Sequence, residues 1–151
     1  MSLVVDASVA IKWLLPEAYS DECLALLARN EPILVPDFLV TQVGNGLAKR
    51  AKTGDLKPGW TEHAMGTLLR LPLIRVPIAE LAVDAMGLAA NGKRPFADAA
   101  YLALAVREGV PLITADWRWY ALVSNGPLKD YVKFVRDVSA SSGASATQRQ
   151  S

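Results

Sequence analysis

"LVVDASVAIKWLLPE", residues 3–17, changes character at its fourth position. Three branched or apolar residues come first, with no polar interruption. A strand covered on both faces reads this way, so residues 3–5 are expected to form a short buried strand. Asp6 follows at once. Apolar residues then recur at helical spacing, and Pro16 closes the run because its ring cannot continue a helix. A helix is expected over residues 8–15. The rest of the chain repeats the alternation. "YSDECLALLARN" (19–30) reads as an amphipathic helix capped by Ser20 or Asp21. "PILVP" (32–36) reads as a strand. A long helix should start at Asp37, its expected cap, and end at Lys52, where "TGDLKPG" closes it. "WTEHAMGTLLRL" (60–71) is helical, "LIRVP" (73–77) a strand, and "IAELAVDAMGLAAN" (78–91) a helix. A further helix spans 97–108, "PLITA" (111–115) is a fourth strand, and "YVKFV" (131–135) is a fifth at an edge. Short strands alternating with helices predict an α/β fold around a central, mostly parallel sheet of four or five strands flanked by helices.

The length, 151 residues with a hydrophobic fraction of 52%, suits one domain with a proper core and excludes wholesale disorder. That domain is expected over 1–138. The remainder, "SASSGASATQRQS" (139–151), is small and polar and reads as a disordered tail. No apolar run reaches the roughly 18 residues of a membrane span. The opening lacks a basic leader, and the single cysteine, Cys23, allows no internal disulfide, so a cytoplasmic setting is expected. Cys23 itself reads as a small core filler. With a net charge of +1 there is no global pull on nucleic acid. An anionic substrate must be held by local groups or by a metal.

Asp6 and Asp116 each follow a predicted strand. Ligands of open parallel sheets gather at the carboxyl ends of strands, so both should share one rim. Asp98 opens the apolar helix of "PFADAAYLALA" (95–105), where the positive end of the helix dipole favours an anion. Each of the three has a plainer reading as a cap or turn former; the joint pattern is what speaks for a site. Three converging anions repel, so protons or a cation must join them. Hard oxygen ligands, with no histidine or thiol cluster, suit Mg²⁺ or Mn²⁺. Water on such an ion is a nucleophile fit for a phosphodiester. Lys12, Lys93 and Arg94 stand near enough in sequence to be weighed as phosphate contacts, with Lys12 and Arg94 kept as candidate RNA contacts. Glu80 and Asp84 read as a solvated helix face, and His63 as non-catalytic. Trp117, Trp119 and Tyr120 read as packing against the sheet edge rather than stacking on bases.

"VVDASVAIKWLLPE", "VPDFLVTQVGNGLAKR", "FADAAYLALA" and "VPLITAD" together resemble the PIN domain, in particular the VapC-type toxins of toxin–antitoxin pairs. The resemblance runs over about residues 3–135 in the family's order and spacing. It implies a PIN-like three-layer fold and a magnesium- or manganese-dependent endoribonuclease that a cognate antitoxin neutralises. It also implies a homodimer. It maps metal-holding acids onto Asp6, Asp98 and Asp116, and supporting polar groups onto Ser8, Asn45 and Thr114. One position departs. Three residues before the asparagine matching Asn45 the family usually carries glutamate, and here stands Gln42, which keeps the length but loses the charge. Positions 42 and 45 share a helical face, so Gln42 should still point at the site. An alternative therefore stays open: a PIN-like module that binds antitoxin or RNA without efficient turnover.

Overall fold

The computed structural model describes residues 1–54 and 56–138. The tail expected from residue 139 lies outside them. Five short strands form one sheet: β1 (Leu3–Val5), β2 (Ile33–Pro36), β3 (Ile74–Val76), β4 (Leu112–Thr114) and β5 (Val132–Phe134). All four pairings are parallel and the order is β3-β2-β1-β4-β5, with β5 at an edge as its sequence suggested. Among the described residues, the sheet is flanked by helices α1 (Ala7–Leu14), α2 (Ser20–Ala28), α3 (Leu39–Lys52), α4 (Trp60–Arg70), α5 (Ile78–Gly92), α6 (Phe96–Glu108) and α7 (Trp117–Ser124).

The chain leaves β1 toward β2 and β3 on one side, then returns to build β4 and β5 on the other. The winding thus reverses at β1, and the crevice between the ends of β1 and β4 is where such a sheet offers a site. The three residues of β1 are all buried, and Val4 and Val5 are fully so. α1 stops at Leu14 because Leu15, forced toward extended backbone by Pro16, has φ −125° and ψ 134°. α6 is buried from Ala99 through Ala105. Its alanines at 99, 100 and 103 form a small-residue face against Ala85 of α5, while Tyr101, Leu102 and Leu104 reach into the main core.

Three local expectations change. Asp37 does not cap α3, which starts after Phe38 without a side-chain cap. Its Oδ1 instead accepts the Ile78 N–H of α5 at 3.1 Å. Parallel pairing of Pro36 with Val76 brings the two chain ends side by side, and Pro77, at the start of α5, has no capping oxygen. Neither Ser20 nor Asp21 caps α2; Tyr19 stands there in the left-handed region. The Ser20 hydroxyl donates to Leu15 O and accepts from Glu17 N, both at 2.8 Å, so it ties the turn between α1 and α2. The aromatic run after Asp116 folds as α7, which periodicity did not reveal. Trp117 and Tyr120 of α7 gather round Phe134 of β5, with ring centroids 5.2 and 5.8 Å away, in keeping with packing at the sheet edge.

Candidate active site

Asp6 is the first residue beyond β1 and the N-cap of α1. Its Oδ1 accepts the Ser8 N–H at 3.1 Å, the Val9 N–H at 3.3 Å and the Ser8 hydroxyl at 2.5 Å. Its Oδ2 accepts the Thr114 hydroxyl at 2.6 Å. Thr114 ends β4 and is fully buried. The two hydroxyls serve a second purpose. Ser8 Oγ accepts the Ala115 N–H at 2.9 Å, and Thr114 Oγ1 accepts the Asp116 N–H at 3.1 Å. One polar knot therefore joins the ends of β1 and β4 and fixes the Asp6 carboxylate. Burial pushes the Asp6 carboxyl up to about 6; hydrogen bonds from Ser8, Thr114 and Val9 oppose that rise, and the charge of Asp116 adds to it.

Asp116 caps α7 and is exposed; its Oδ1 accepts the Trp119 N–H at 3.1 Å. Asp98 sits in the first turn of α6, partly buried. Burial, and then the charge of Asp116, raise its carboxyl above the usual range, while Arg94 pulls the other way. Asp116 is thus within electrostatic reach of both other acids. Among the described residues, no three His, Cys, Asp or Glu side chains form a ready-made metal cage. Magnesium does not need one, because it is commonly held by one or two carboxylates with water and substrate phosphate completing its shell. Carboxylates that destabilise one another's charge, with Asp6 oriented by two hydroxyls and no metal-ligating thiol or imidazole cluster among the described residues, fit a hard dication by donor chemistry.

Gln42, on α3, receives the Tyr101 hydroxyl on Oε1 at 2.6 Å. Asn45, one turn on, is exposed and makes no side-chain hydrogen bond among the described residues. Lys12 lies against Glu17, with Nζ 3.4 Å from Oε1, and Glu17 also pairs with Arg50. Arg94 lines a cavity of about 390 Å³ with Lys93, Asp98 and Trp119. Its Nη1 is buried without a hydrogen-bond partner. Glu80 pairs with Arg107 at 3.2 Å, away from the acids, and Cys23 is buried.

Sequence reading passed over Tyr101 and Glu17, and took Arg50 only as part of a solvated basic cluster at 49–52. For Tyr101 a signal existed. It is the one polar-tipped side chain in an aliphatic stretch, and it follows Asp98 by three residues, which puts both on one helix face. Glu17 and Arg50 are 33 residues apart, and nothing local links them.

A family model described as the PIN domain matches residues 3–124. Ribonuclease VapC3 of Pyrobaculum aerophilum is 31% identical over 118 residues, spanning 77% of this chain and 90% of its own length. A crystal structure from Pyrobaculum aerophilum superposes with a TM-score of 0.68 at 20% identity, covering 95% of this chain and 99% of the other. A toxin–antitoxin complex from Klebsiella pneumoniae superposes with a TM-score of 0.63 at 17% identity, covering 88% and 97%.

Proposed function

The chain belongs to the PIN-domain family, and from that premise we propose that it is a metal-dependent endoribonuclease toxin held in check by a cognate antitoxin. The observation that carries the reading is the polar knot at the ends of β1 and β4. It fixes Asp6 with Ser8 and Thr114 in a crevice where burial, and then the charge of Asp116, raises the carboxyl groups of both Asp6 and Asp98. A protein that needed Asp6 only as a helix cap would gain nothing from burying its carboxylate beside a second acid. The ribonuclease relative supports the activity, and the toxin–antitoxin complex supports a protein partner.

Asp6, Asp98 and Asp116 are the residues that would hold Mg²⁺ or Mn²⁺. When bound, the ion supplies an activated water and neutralises charge building on the phosphate. The protein's own part is orientation. Ser8 and Thr114 hold both oxygens of Asp6, so the carboxylate does not have to reorganise. Arg94 offsets the charge of Asp98 and lines the adjoining cavity, which suits it to a phosphate of the RNA. Asn45, exposed on the same helix as Gln42, is available to the substrate. The antitoxin is assigned to the groove of about 510 Å³ between α5 and α6, where Val83, Leu88, Ala103 and Val106 are flanked by Asp84 and Arg107. Nothing favours the turnover-free module over the enzyme, since its whole basis is the single exchange at position 42.

The test is incubation of the purified chain with labelled transfer RNA and a broad RNA pool in Mn²⁺. Cleavage is expected, with a loss of at least a hundredfold in Asp6→Asn and Asp98→Asn and unchanged folding by circular dichroism. Cleavage that survives Asp6→Asn, or no cleavage of any RNA, overturns the reading.

A further inference from the structure

Gln42 has an amide with two unlike arms, an oxygen that accepts and a nitrogen that donates. Which arm faces the site decides what Gln42 does there, and Tyr101 makes that choice. The phenol is buried, at 2% exposure, and its ring is set edge-on to Phe38 at 5.3 Å. Its hydroxyl has one proton to give. That proton goes to Gln42 Oε1 at 2.6 Å. Turning the amide over would leave the buried phenol proton without the acceptor it now has, which is unfavourable. The oxygen arm is therefore committed to Tyr101. The nitrogen arm donates to no protein atom among the described residues.

We infer that Tyr101 is a positioning residue that presents the Gln42 amide nitrogen as a hydrogen-bond donor to a phosphate oxygen of the RNA, so that Gln42 binds substrate and is no ligand of the dication. An N–H pair repels a cation and suits an anionic oxygen. The exchange at position 42 thus moves this side chain from the metal's side of the reaction to the substrate's side. The inference rests on the RNA-cleaving reading for its substrate but not for the amide's orientation, and the two are tested apart.

The orientation is read by Mn²⁺ binding to the full chain without RNA, followed by the electron paramagnetic resonance of the free ion. Gln42→Ala is expected to leave the Mn²⁺ Kd within twofold, where Asp6→Asn weakens it at least tenfold. Tyr101→Phe keeps the ring and frees the amide to turn its oxygen inward, so Mn²⁺ is expected to bind at least threefold more tightly. In Gln42→Ala/Tyr101→Phe that gain should vanish. The substrate role is read by filter binding of labelled transfer RNA in EDTA, where Gln42→Ala should weaken binding about tenfold. Weakening of Mn²⁺ by Gln42→Ala to the same degree as by Asp6→Asn overturns the inference. So does a Tyr101→Phe effect that is absent, or that persists without Gln42. A chain that follows the Mn²⁺ cycle but cuts no RNA sinks the enzyme reading and leaves the orientation standing.

Discussion

At Asp6 burial and hydrogen bonding oppose each other. Removal from water favours the protonated form, and the two hydroxyls and the Val9 amide favour the charged one; burial wins and pushes the carboxyl up to about 6. An unfolded aspartate titrates near ~3.9. The folded state therefore binds this proton more tightly than the unfolded state does. The stabilisation is full below the unfolded value and is lost as pH rises through the folded one. It amounts to at most roughly 3 kcal/mol. Asp98 shifts in the same direction and carries the same sign. In EDTA, the urea midpoint of the native chain minus that of Asp6→Asn is expected to fall between pH 4 and pH 7. A difference that rises across that window would mean the carboxylate is stabilised by its surroundings, contrary to the burial argument. The type and place of this residue were legible in sequence, since an acid directly after a strand marks the rim. Its two hydroxyl partners were named only by resemblance. Thr114 is 108 residues away, and only the pairing of β1 with β4 brings it within reach.

At the scale of elements, helices were read from apolar spacing, and most fell within a residue or two of their expected bounds. The errors lie at starts. A capping aspartate looks the same in sequence whether it serves the next helix or one across the sheet. Asp37 serves α5 because β2 and β3 run parallel in register. Asp37→Ala is thus expected to lower stability by ~1 kcal/mol, the usual worth of an N-cap. Thermal unfolding should move down by about 2–4 °C in a chain of this size. Hydrogen exchange should speed up in the first turn of α5 and not of α3; faster exchange in α3 would restore the sequence expectation. α7 escaped notice because it has only eight residues and opens with two tryptophans and a tyrosine, poor helix formers that pack equally well on a strand. Its cap, Asp116, was the available signal; the sequence offers it as a rim residue or a turn former, and not as the start of a helix.

Across the whole molecule, the reversal of winding at β1 gathers Asp6, Thr114 and Asp116 from chain positions more than a hundred residues apart. No helix among the described residues is long and apolar enough to cross a membrane. Several large apolar side chains are exposed, among them Val83 at 85% and Met86 at 54% on α5, Val106 at 38% on α6 and Leu122 at 76% on α7; of these Val83 and Val106 line the groove between α5 and α6. Large exposed apolar groups that cluster beside a groove mark a protein-binding face. Under the proposed function this face receives an amphipathic segment of the antitoxin. Val83→Glu/Met86→Glu is expected to weaken antitoxin binding at least tenfold by calorimetry, with Mn²⁺ affinity unchanged. Light scattering on the chain alone should give twice 16.2 kDa, the dimer implied by resemblance. Undiminished antitoxin binding by the double variant would move the partner to another surface.

The sequence by itself determined the layered α/β class, the parallel sheet with β5 at its edge, and the acids at strand and helix ends. Those features are local: they follow from apolar periodicity, proline stops and residue type, which a short window contains. Only the tertiary structure decided that Asp6 is held by Ser8 and Thr114, that Asp37 caps α5, that Lys12 pairs with Glu17, and that Gln42 is gripped by Tyr101. Each of those depends on which strand lies beside which and how one helix packs on another. Such contacts come from burying the apolar faces of the whole chain at once, so no short window of sequence contains them.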